Sequence, residues 1–210
     1  MEGFIARLKA GLAGNLPGEE AQFRMAPRAR LRMKEALSRT SRLQQSAVLL
    51  YLFPDQDDWR LVLMKRPDYD GAHGGQVSIP GGRLEPGENH TQAALREFEE
   101  ETGIRVSSSQ LLGRLSELFI PPSSFLVKPF VACAQERPRF EPDPVEVEQI
   151  IELSVSALMS EATVKWGRVR LIGDVKVDTP YFDVEGHMVW GATAMILSEL
   201  KEILSDKPYP

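Results

Sequence analysis

The spacing of apolar residues changes along the chain, and each change predicts a different kind of element. Near the N-terminus apolar residues recur every three or four positions, which predicts a short amphipathic helix on Phe4, Ile5, Leu8 and Leu12. From residue 47 onward, short apolar runs between turn residues predict strands. Two further helical patterns interrupt the strands, at residues 90–102 and 192–204.

The predicted strands are short and outnumber the helices. They cover residues 47–53, 61–64, 76–79, 111–120, 126–134, 148–155, 163–172, 181–184 and 188–190. Many strands with few, separated helices favour an α/β fold in which helices cover a mixed sheet. No linker is long enough to separate two domains, so we expect an N-terminal helical extension (1–45) packed on one domain (46–210).

Composition excludes several classes of protein. Hydrophobic residues make up 42% of the 210 and charged residues 26%, the mixture of a globular protein rather than of a disordered or fibrous one. The single cysteine, Cys133, excludes an internal disulfide and a cysteine-built zinc site. The longest apolar run, residues 47–53, is far too short to span a bilayer, and the N-terminus lacks a signal-peptide core. We therefore expect a cytoplasmic protein without a membrane partner.

Charge is unevenly distributed. The net charge is −5, yet residues 24–42 contain seven basic residues and a single acid, Glu35. This stretch is either a solvated helix face or a basic collar that attracts a phosphate-rich ligand. Nucleic acid is not the expected partner, because the average charge is acidic and no aromatic residues are interleaved as stacking platforms.

The strongest chemical signal is the acidic run on the helix at 90–102. Glu97, Glu100 and Glu101 are three or four residues apart and share one face, while Leu95 and Phe98 anchor the helix toward the core. Like charges on one face repel, so this face needs solvent, a cationic side chain or a metal. Oxygen ligands of this kind suit Mg²⁺ or Mn²⁺.

The residues around this run complete a longer pattern. It reads Gly82, five residues, Glu88, seven residues, Arg96-Glu97-Phe98, one residue, Glu100-Glu101, one residue and Gly103-Ile104. This pattern meets every defined position of the Nudix box, and the chain resembles the Nudix hydrolases. The resemblance implies an α/β/α sandwich with a mixed sheet, a loop–helix–loop catalytic motif, and cleavage of a nucleoside diphosphate linked to another group.

The resemblance also implies roles for individual residues. Glu97, Glu100 and Glu101 would hold divalent ions, with the backbone carbonyl of Gly81 completing the shell. Arg96 belongs to the catalytic set as an orienter that pairs with neighbouring carboxylates, because its planar fork can hold a carboxylate in one geometry. The acceptor of the proton from the attacking water is either Glu97 or Glu100, or an acid of a later loop, for which Glu146 and Glu148 are the candidates.

Flanking residues resemble the coenzyme A pyrophosphatase subfamily. A strand ending in Arg66 precedes a run from His73 to Gly82, in which Met64 and Ile79 stand where threonine and phenylalanine are common. Segments 118–123 and 189–194 also look like that subfamily. Arg66, Ser78 and Gly82 are then the expected substrate-binding residues, Arg66 through paired hydrogen bonds to a phosphate.

The predicted function is metal-dependent hydrolysis of the pyrophosphate in coenzyme A or acyl-CoA. The products would be 3′-phosphoadenosine 5′-phosphate and (acyl-)4′-phosphopantetheine. Two alternatives stay open: the same chemistry on ADP-ribose, NADH or a dinucleoside polyphosphate, and a non-catalytic domain that senses a nucleotide. A homodimer is compatible with the resemblance.

Overall fold

The computed structural model describes residues 2–28, 30–40, 42–67, 75–170 and 176–205. The α-helices are α1 (Glu2–Ala13), α2 (Gly18–Phe23), α3 (Met33–Ser38), α4 (His90–Thr102), α5 (Val155–Met159) and α6 (Gly191–Leu204). The strands are β1 (Gln44–Asp55), β2 (Asp58–Lys65), β3 (Val77–Ser78), β4 (Gly81–Arg83), β5 (Leu111–Arg114), β6 (Leu118–Ile120), β7 (Phe125–Cys133), β8 (Gln149–Ser154), β9 (Val164–Arg170), β10 (Lys176–Val184) and β11 (His187–Val189). None of these helices is long and apolar enough to cross a membrane, within the residues described.

The main sheet is mixed and is centred on β1. Strand β1 pairs in parallel with β7 and forms an antiparallel hairpin with β2, whose pairing ends at Leu52 and Leu61. Beyond that point β3 pairs with β2, while β4 pairs with β1 through Ala47 and Gly82. The segment leading to the predicted catalytic helix is therefore held between two strands that have separated.

Side-chain alternation along β1 divides the core into two layers. Leu49, Tyr51 and Phe53 face α4, where the rings of Tyr51 and Phe98 lie 4.9 Å apart. Leu50 and Leu52 face the opposite side, which α6 covers with apolar residues that include Leu197 and Leu200. Helices thus cover both faces of the sheet, which confirms the predicted α/β/α architecture.

A smaller antiparallel sheet in the order β11-β10-β9 adjoins the main one. Its buried residues Phe182, Val184 and Val189 join the core under α6. Helices α1 and α2 pack against α6 as well, and α1 also contacts β5. The division into an extension (1–45) and a domain (46–210) stays a prediction.

Two expectations about local structure were wrong. The single strand predicted at 111–120 is divided into β5 and β6, both of which pair with β7. The amide of Leu115 donates to the carbonyl of Pro129 (2.9 Å), but proline has no N–H to donate in return, so the ladder is interrupted there. The basic stretch 24–42 is also not one helix face, because only α3 is helical within its described part.

Candidate active site

Helix α4 begins and ends where its sequence signals predict. The side chain of Asn89 accepts a hydrogen bond from the amide of Gln92 while the Gln92 side chain accepts from the Asn89 amide, both at 3.0 Å. At the other end Gly103 has φ 73°, and a Cβ atom there would lie 2.5 Å from the carbonyl oxygen of Glu141. Only glycine both adopts this positive φ without strain and leaves room for the Glu141 carbonyl, so the end of the helix packs closely against residue 141.

Two glycines of β4 bring bare backbone against β1 and α4. Gly81 has φ 147°, and a Cβ atom at this position would lie 2.3 Å from the carbonyl oxygen of Ala47. At Gly82 the space that a side chain would fill is taken by the carboxylate of Glu97. The Gly-Gly pair is therefore required for the strand pairing and for the position of the acid.

Glu101 is the most deeply buried of the three box acids, with 1% of its side chain exposed. Its carboxylate accepts hydrogen bonds from the amide of Gly81 (2.7 Å) and from Nη2 of Arg66 (3.0 Å). Burial raises the pKa of Glu101 to about 7, although Arg66 and the Gly81 amide both act in the opposite direction. The nearby carboxylates of Glu97 and Glu146 raise this pKa further.

Arg96 connects the other acids of the box. Its guanidinium donates to both carboxylate oxygens of Glu88 (2.9 and 3.0 Å), and Nη1 also donates to Glu97 (3.0 Å) and Glu100 (2.9 Å). Nη2 reaches the backbone carbonyl of Arg83 as well, at 3.2 Å. The bond to Glu88 is the largest cause raising the pKa of Arg96, and the same bond lowers the pKa of Glu88.

The three acids differ in their surroundings. The side chain of Glu97 is 17% exposed and that of Glu100 is 56% exposed. Burial raises the pKa of Glu97, with Arg96 opposing this effect and Glu100 and Glu146 adding to it. The site therefore concentrates negative charge in a partly desolvated place, where a cation would be strongly favoured.

These groups surround an open cavity of about 380 Å³. It is lined by Arg66, Pro67, Gly81, Gly82, Arg83, Glu97, Glu101, Val145 and Glu146. Predicted residues from four separate segments, among them Arg66 and Glu146, are thus brought together. Sequence reasoning missed Pro67, Arg83 and Val145; the first two directly follow predicted site residues, which is the signal that would have found them.

Other predicted residues lie away from this cavity. The carboxylate of Glu148 pairs with Lys65 (2.6 Å), and neither residue lines the cavity. The buried hydroxyl of Ser78 has no hydrogen-bond partner among the described residues. Arg96 and Glu100 do not line the cavity, although Arg96 donates hydrogen bonds to both Glu97 and Glu100. His73 belongs to residues 68–74, which lie outside the described residues.

The donor set suits a hard divalent cation. Every candidate ligand around Gly82 is a carboxylate or backbone oxygen, the chemistry that Mg²⁺ and Mn²⁺ prefer. Within the described part of the chain, no three acidic, histidine or cysteine side chains stand close enough together to hold an ion. The hydrogen bonds account for this spacing, because Arg66 and Gly81 hold Glu101 while Arg96 holds Glu97 and Glu100.

The chain is similar in sequence to proteins named as Nudix hydrolases. Nudix hydrolase 15, mitochondrial, of Arabidopsis thaliana is 30% identical over 173 residues, which cover 79% of this chain and 60% of the relative. The human mitochondrial coenzyme A diphosphatase NUDT8 is 28% identical over 141 residues, or 66% of this chain and 60% of that protein. The chain thus spans less than two thirds of the length of these two relatives.

The fold is found in solved structures as well. A Nudix hydrolase from M. smegmatis, RenU, superimposes with a TM-score of 0.52 at 17% identity, over 80% of this chain and 89% of that one. The NUDIX domain family itself matches residues 43–174, a segment that contains the complete box. The chain therefore belongs to the Nudix hydrolases, a family that generally uses divalent metal ions.

Proposed function

We propose that this chain hydrolyses the pyrophosphate of coenzyme A and acyl-CoA, releasing 3′-phosphoadenosine 5′-phosphate and (acyl-)4′-phosphopantetheine. The observation that carries the proposal is the position of Arg66, which lines the same cavity as Glu97 and Glu101. Arg66 belongs to the flanking pattern that resembles coenzyme A pyrophosphatases. The human relative named as a coenzyme A diphosphatase supports the same assignment.

The box acids are proposed to hold Mg²⁺ or Mn²⁺. Glu97, Glu101 and Gly81 line the cavity, and Glu100 directly precedes Glu101 on α4. When bound, a divalent cation neutralises the charge that develops on the phosphate oxygens during attack. Arg96 positions Glu97 and Glu100 through the hydrogen bonds described above.

Glu146 is the proposed acceptor of the water proton. It lies on the exposed loop between Asp143 and β8 and lines the cavity close enough to raise the pKa of both Glu97 and Glu101. Glu148 is less suited, since its carboxylate pairs with Lys65 away from the cavity. A general base must reach the water that it activates, and Glu146 alone of the two late-loop candidates faces that space.

Arg66 is proposed to bind a substrate phosphate as well as Glu101. A guanidinium has five N–H donors, and one hydrogen bond to Glu101 leaves others for a ligand. The side chain is 28% exposed and faces the cavity, so those donors are accessible. Arg66 would then connect a metal-binding acid to the substrate.

A substrate panel tests the proposal. Initial rates with coenzyme A, acetyl-CoA, ADP-ribose, NADH and diadenosine polyphosphates are measured in Mg²⁺ and in Mn²⁺, with the products identified by mass. We expect the highest kcat/KM for coenzyme A or its thioester, with 3′-phosphoadenosine 5′-phosphate as a product. Coenzyme A among the poor substrates would overturn the substrate assignment and leave the Nudix chemistry intact.

Arg66→Ala tests the phosphate contact. Because Arg66 also binds Glu101, this variant is expected to lose activity on every substrate, so the informative quantity is a ratio. If Arg66 binds the 3′-phosphate, the preference for coenzyme A over dephospho-coenzyme A shrinks in the variant, and Arg66→Lys restores it in part. An unchanged preference would assign Arg66 to the pyrophosphate or to Glu101 alone.

A further inference from the structure

A second cavity, of about 420 Å³, lies beside strands β9 and β10 of the smaller sheet. Its wall is formed by Arg28, Trp166, Gly167, Arg168 and Asp178, none of which lines the catalytic cavity. Trp166 and Arg168 are two residues apart on β9 and so lie on the same face, and Asp178 of β10 is paired with Arg168. The two cavities are therefore built from different elements.

The indole of Trp166 is unusually accessible for so large an apolar group, with 58% of the residue exposed. The neighbouring Gly167 lacks a side chain, but a Cβ atom built there would point toward Tyr181 and Met188 on the opposite surface of the sheet. The missing side chain at Gly167 is therefore not the reason why Trp166 is exposed. An exposed tryptophan at the edge of a cavity is a typical platform for a planar ligand.

The guanidinium of Arg28 lies 5.1 Å from the centre of the Trp166 ring, in a cation–π contact. Arg28 belongs to the basic stretch 24–42, most of whose described arginines have acceptors: Arg24 pairs with Glu202, Arg32 with Glu19, Arg39 with Glu35, and Arg30 donates to the carbonyl of Phe119. No ion pair within 4 Å is found for Arg28 among the described residues, although its charge helps to lower the pKa of Asp178. Asp178 itself pairs with Arg168 at 2.8 Å.

We propose that this cavity, the Arg28–Trp166 cavity, is a second binding site for a planar aromatic anion, represented by a nucleoside monophosphate. The base stacks on the indole of Trp166 in place of the Arg28 guanidinium, which pairs with the phosphate instead. Asp178 offers an acceptor for an exocyclic amine of the base. The site gives a role to one arginine of the basic stretch, in which Arg24, Arg32 and Arg39 pair with acids of the chain.

The size and charge of the cavity fit this class of ligand. Its volume falls within the range of about 300–1,000 Å³ that is usual for small-molecule sites. Two arginines and one aspartate give the lining a net positive charge, whereas acidic side chains dominate the deep part of the catalytic cavity. An anion without a metal ion is therefore favoured at the Arg28–Trp166 cavity and disfavoured between Glu97 and Glu101.

Calorimetric titration of the full chain with AMP in the presence of a chelator tests the proposal. We expect saturable binding to the parent protein, and weakening of about tenfold or more in Trp166→Ala, the usual effect of removing a stacking platform. Arg28→Gln should weaken AMP binding by a similar factor and remove the preference for AMP over adenosine. Arg39→Gln is the matched control, because Arg39 is another exposed arginine of the same stretch and pairs with Glu35.

Each result decides for or against the site. Loss of binding in both cavity variants, with the control within twofold of the parent, supports it. Absence of saturable AMP binding, or equal affinity in all four proteins, overturns it. Arg28 is on an exposed segment, so Arg28→Gln keeps the test decisive even if Trp166→Ala fails to fold. Equal affinity of the parent for AMP and inorganic phosphate would also contradict the stacking contact.

Discussion

The carboxylate of Glu97 lies where a side chain at residue 82 would be, since a Cβ atom built on Gly82 would stand 2.3 Å from Cδ and from Oε1 of Glu97. Neither group has freedom to move away. Gly82 is paired with Ala47 in the sheet, and Glu97 is bound by Arg96 on a helix anchored at both ends. The glycine thus determines how closely helix α4 approaches the sheet.

Gly82→Ala is expected to displace the Glu97 carboxylate and to reduce kcat/KM by about 100-fold, the usual cost of a displacement near 1 Å in a catalytic group. Steady-state kinetics on the preferred substrate measures this loss. Gly3→Ala is the control, because a Cβ atom at Gly3 meets nothing within 4 Å. Parent-like kinetics of Gly82→Ala would show that Glu97 can relocate without effect.

Glutamine replacements separate the proposed metal ligands from a surface acid. Glu97→Gln and Glu101→Gln each remove one ligand charge at nearly constant size, and each should reduce kcat by about 1,000-fold or more. Glu99→Gln should stay within a few-fold of the parent, because Glu99 points away from the cavity and pairs with the exposed Arg105. Equal and small effects at all three positions would mean that the acidic run is a solvated face.

Metal removal should abolish hydrolysis, and addition of Mg²⁺ or Mn²⁺ should restore it. The ion should also raise the melting temperature, because it binds the assembled site and reduces the repulsion between Glu97 and Glu101. Activity assays and thermal unfolding with and without chelator measure the two effects. The Glu97→Gln variant should show a smaller thermal shift than the parent. Full turnover in metal-free buffer would refute the proposed role of the acids.

Glu199 joins the N-terminal segment to helix α6. Although fully buried, its carboxylate accepts hydrogen bonds from the amides of Gly18 (3.2 Å) and Ser116 (3.1 Å) and from Nε2 of Gln22 (2.9 Å). In Glu199→Gln the new NH₂ group faces a donor in either orientation of the amide: Nε2 of Gln22 in one, and the amides of Gly18 and Ser116 in the other. We expect the free energy of unfolding to fall by about 1–3 kcal/mol.

Urea unfolding of the Glu199 variant checks this expectation, with Glu202→Gln as the control on the same helix. Glu202 pairs with the exposed Arg24, so its replacement should cost less than about 1 kcal/mol. Limited proteolysis should cut the Glu199→Gln variant near residues 13–18 before other sites. Equal stability of the two variants would show that the buried bonds are replaced by others.

Asp58 should make stability depend on pH in the acid range. Burial alone would raise the pKa of Asp58, but donation by Ser154, by the amide of Trp59 and by Ser156 lowers it below the usual value. A lowered folded-state pKa gives a stabilisation that is complete above about pH 4 and is lost as the pH falls through the folded-state pKa.

Asp58→Asn should therefore be less stable than the parent at pH 7 by about 1–2 kcal/mol, with a difference that shrinks below pH 4. Urea unfolding across pH 2–7 measures the two curves. The neighbouring exposed Asp57→Asn should follow the parent. If the difference in unfolding free energy between Asp58→Asn and the parent did not change with pH, the loss of stability would come from altered packing or hydrogen bonding and not from the charge of Asp58.

Local signals in the sequence were sufficient for the secondary structure that carries the chemistry. The apolar spacing of Leu95 and Phe98 and the terminal Gly103 predicted α4 over residues 90–102, as observed. These signals act within a few residues, where helix geometry alone decides which side chains share a face. The spacing of the box likewise indicated the family before any contact was known.

The assembly of the cavity depended on tertiary structure. That β1 and β2 separate after Leu52 and Leu61, and that β3 and β4 enter the gap, follows from strand pairing over long distances in the chain. The same pairing brings Arg66 to Glu101 and places Glu146, but not Glu148, at the cavity. Which strands pair, and which side chains they bring to the cavity, depends on which surfaces are buried together, and local sequence spacing does not encode this.

The basic stretch 24–42 is a second case in which the sequence showed the charge and only the tertiary structure showed its partners. Its composition indicated an excess of positive charge, but partners such as Glu202, Glu19 and Trp166 come from distant segments. The sequence by itself determined the fold class, the extent of helix α4 and which of its acids share a face. Only the tertiary structure decided which charges are neutralised within the chain and which face a cavity, because that depends on contacts between elements far apart in sequence.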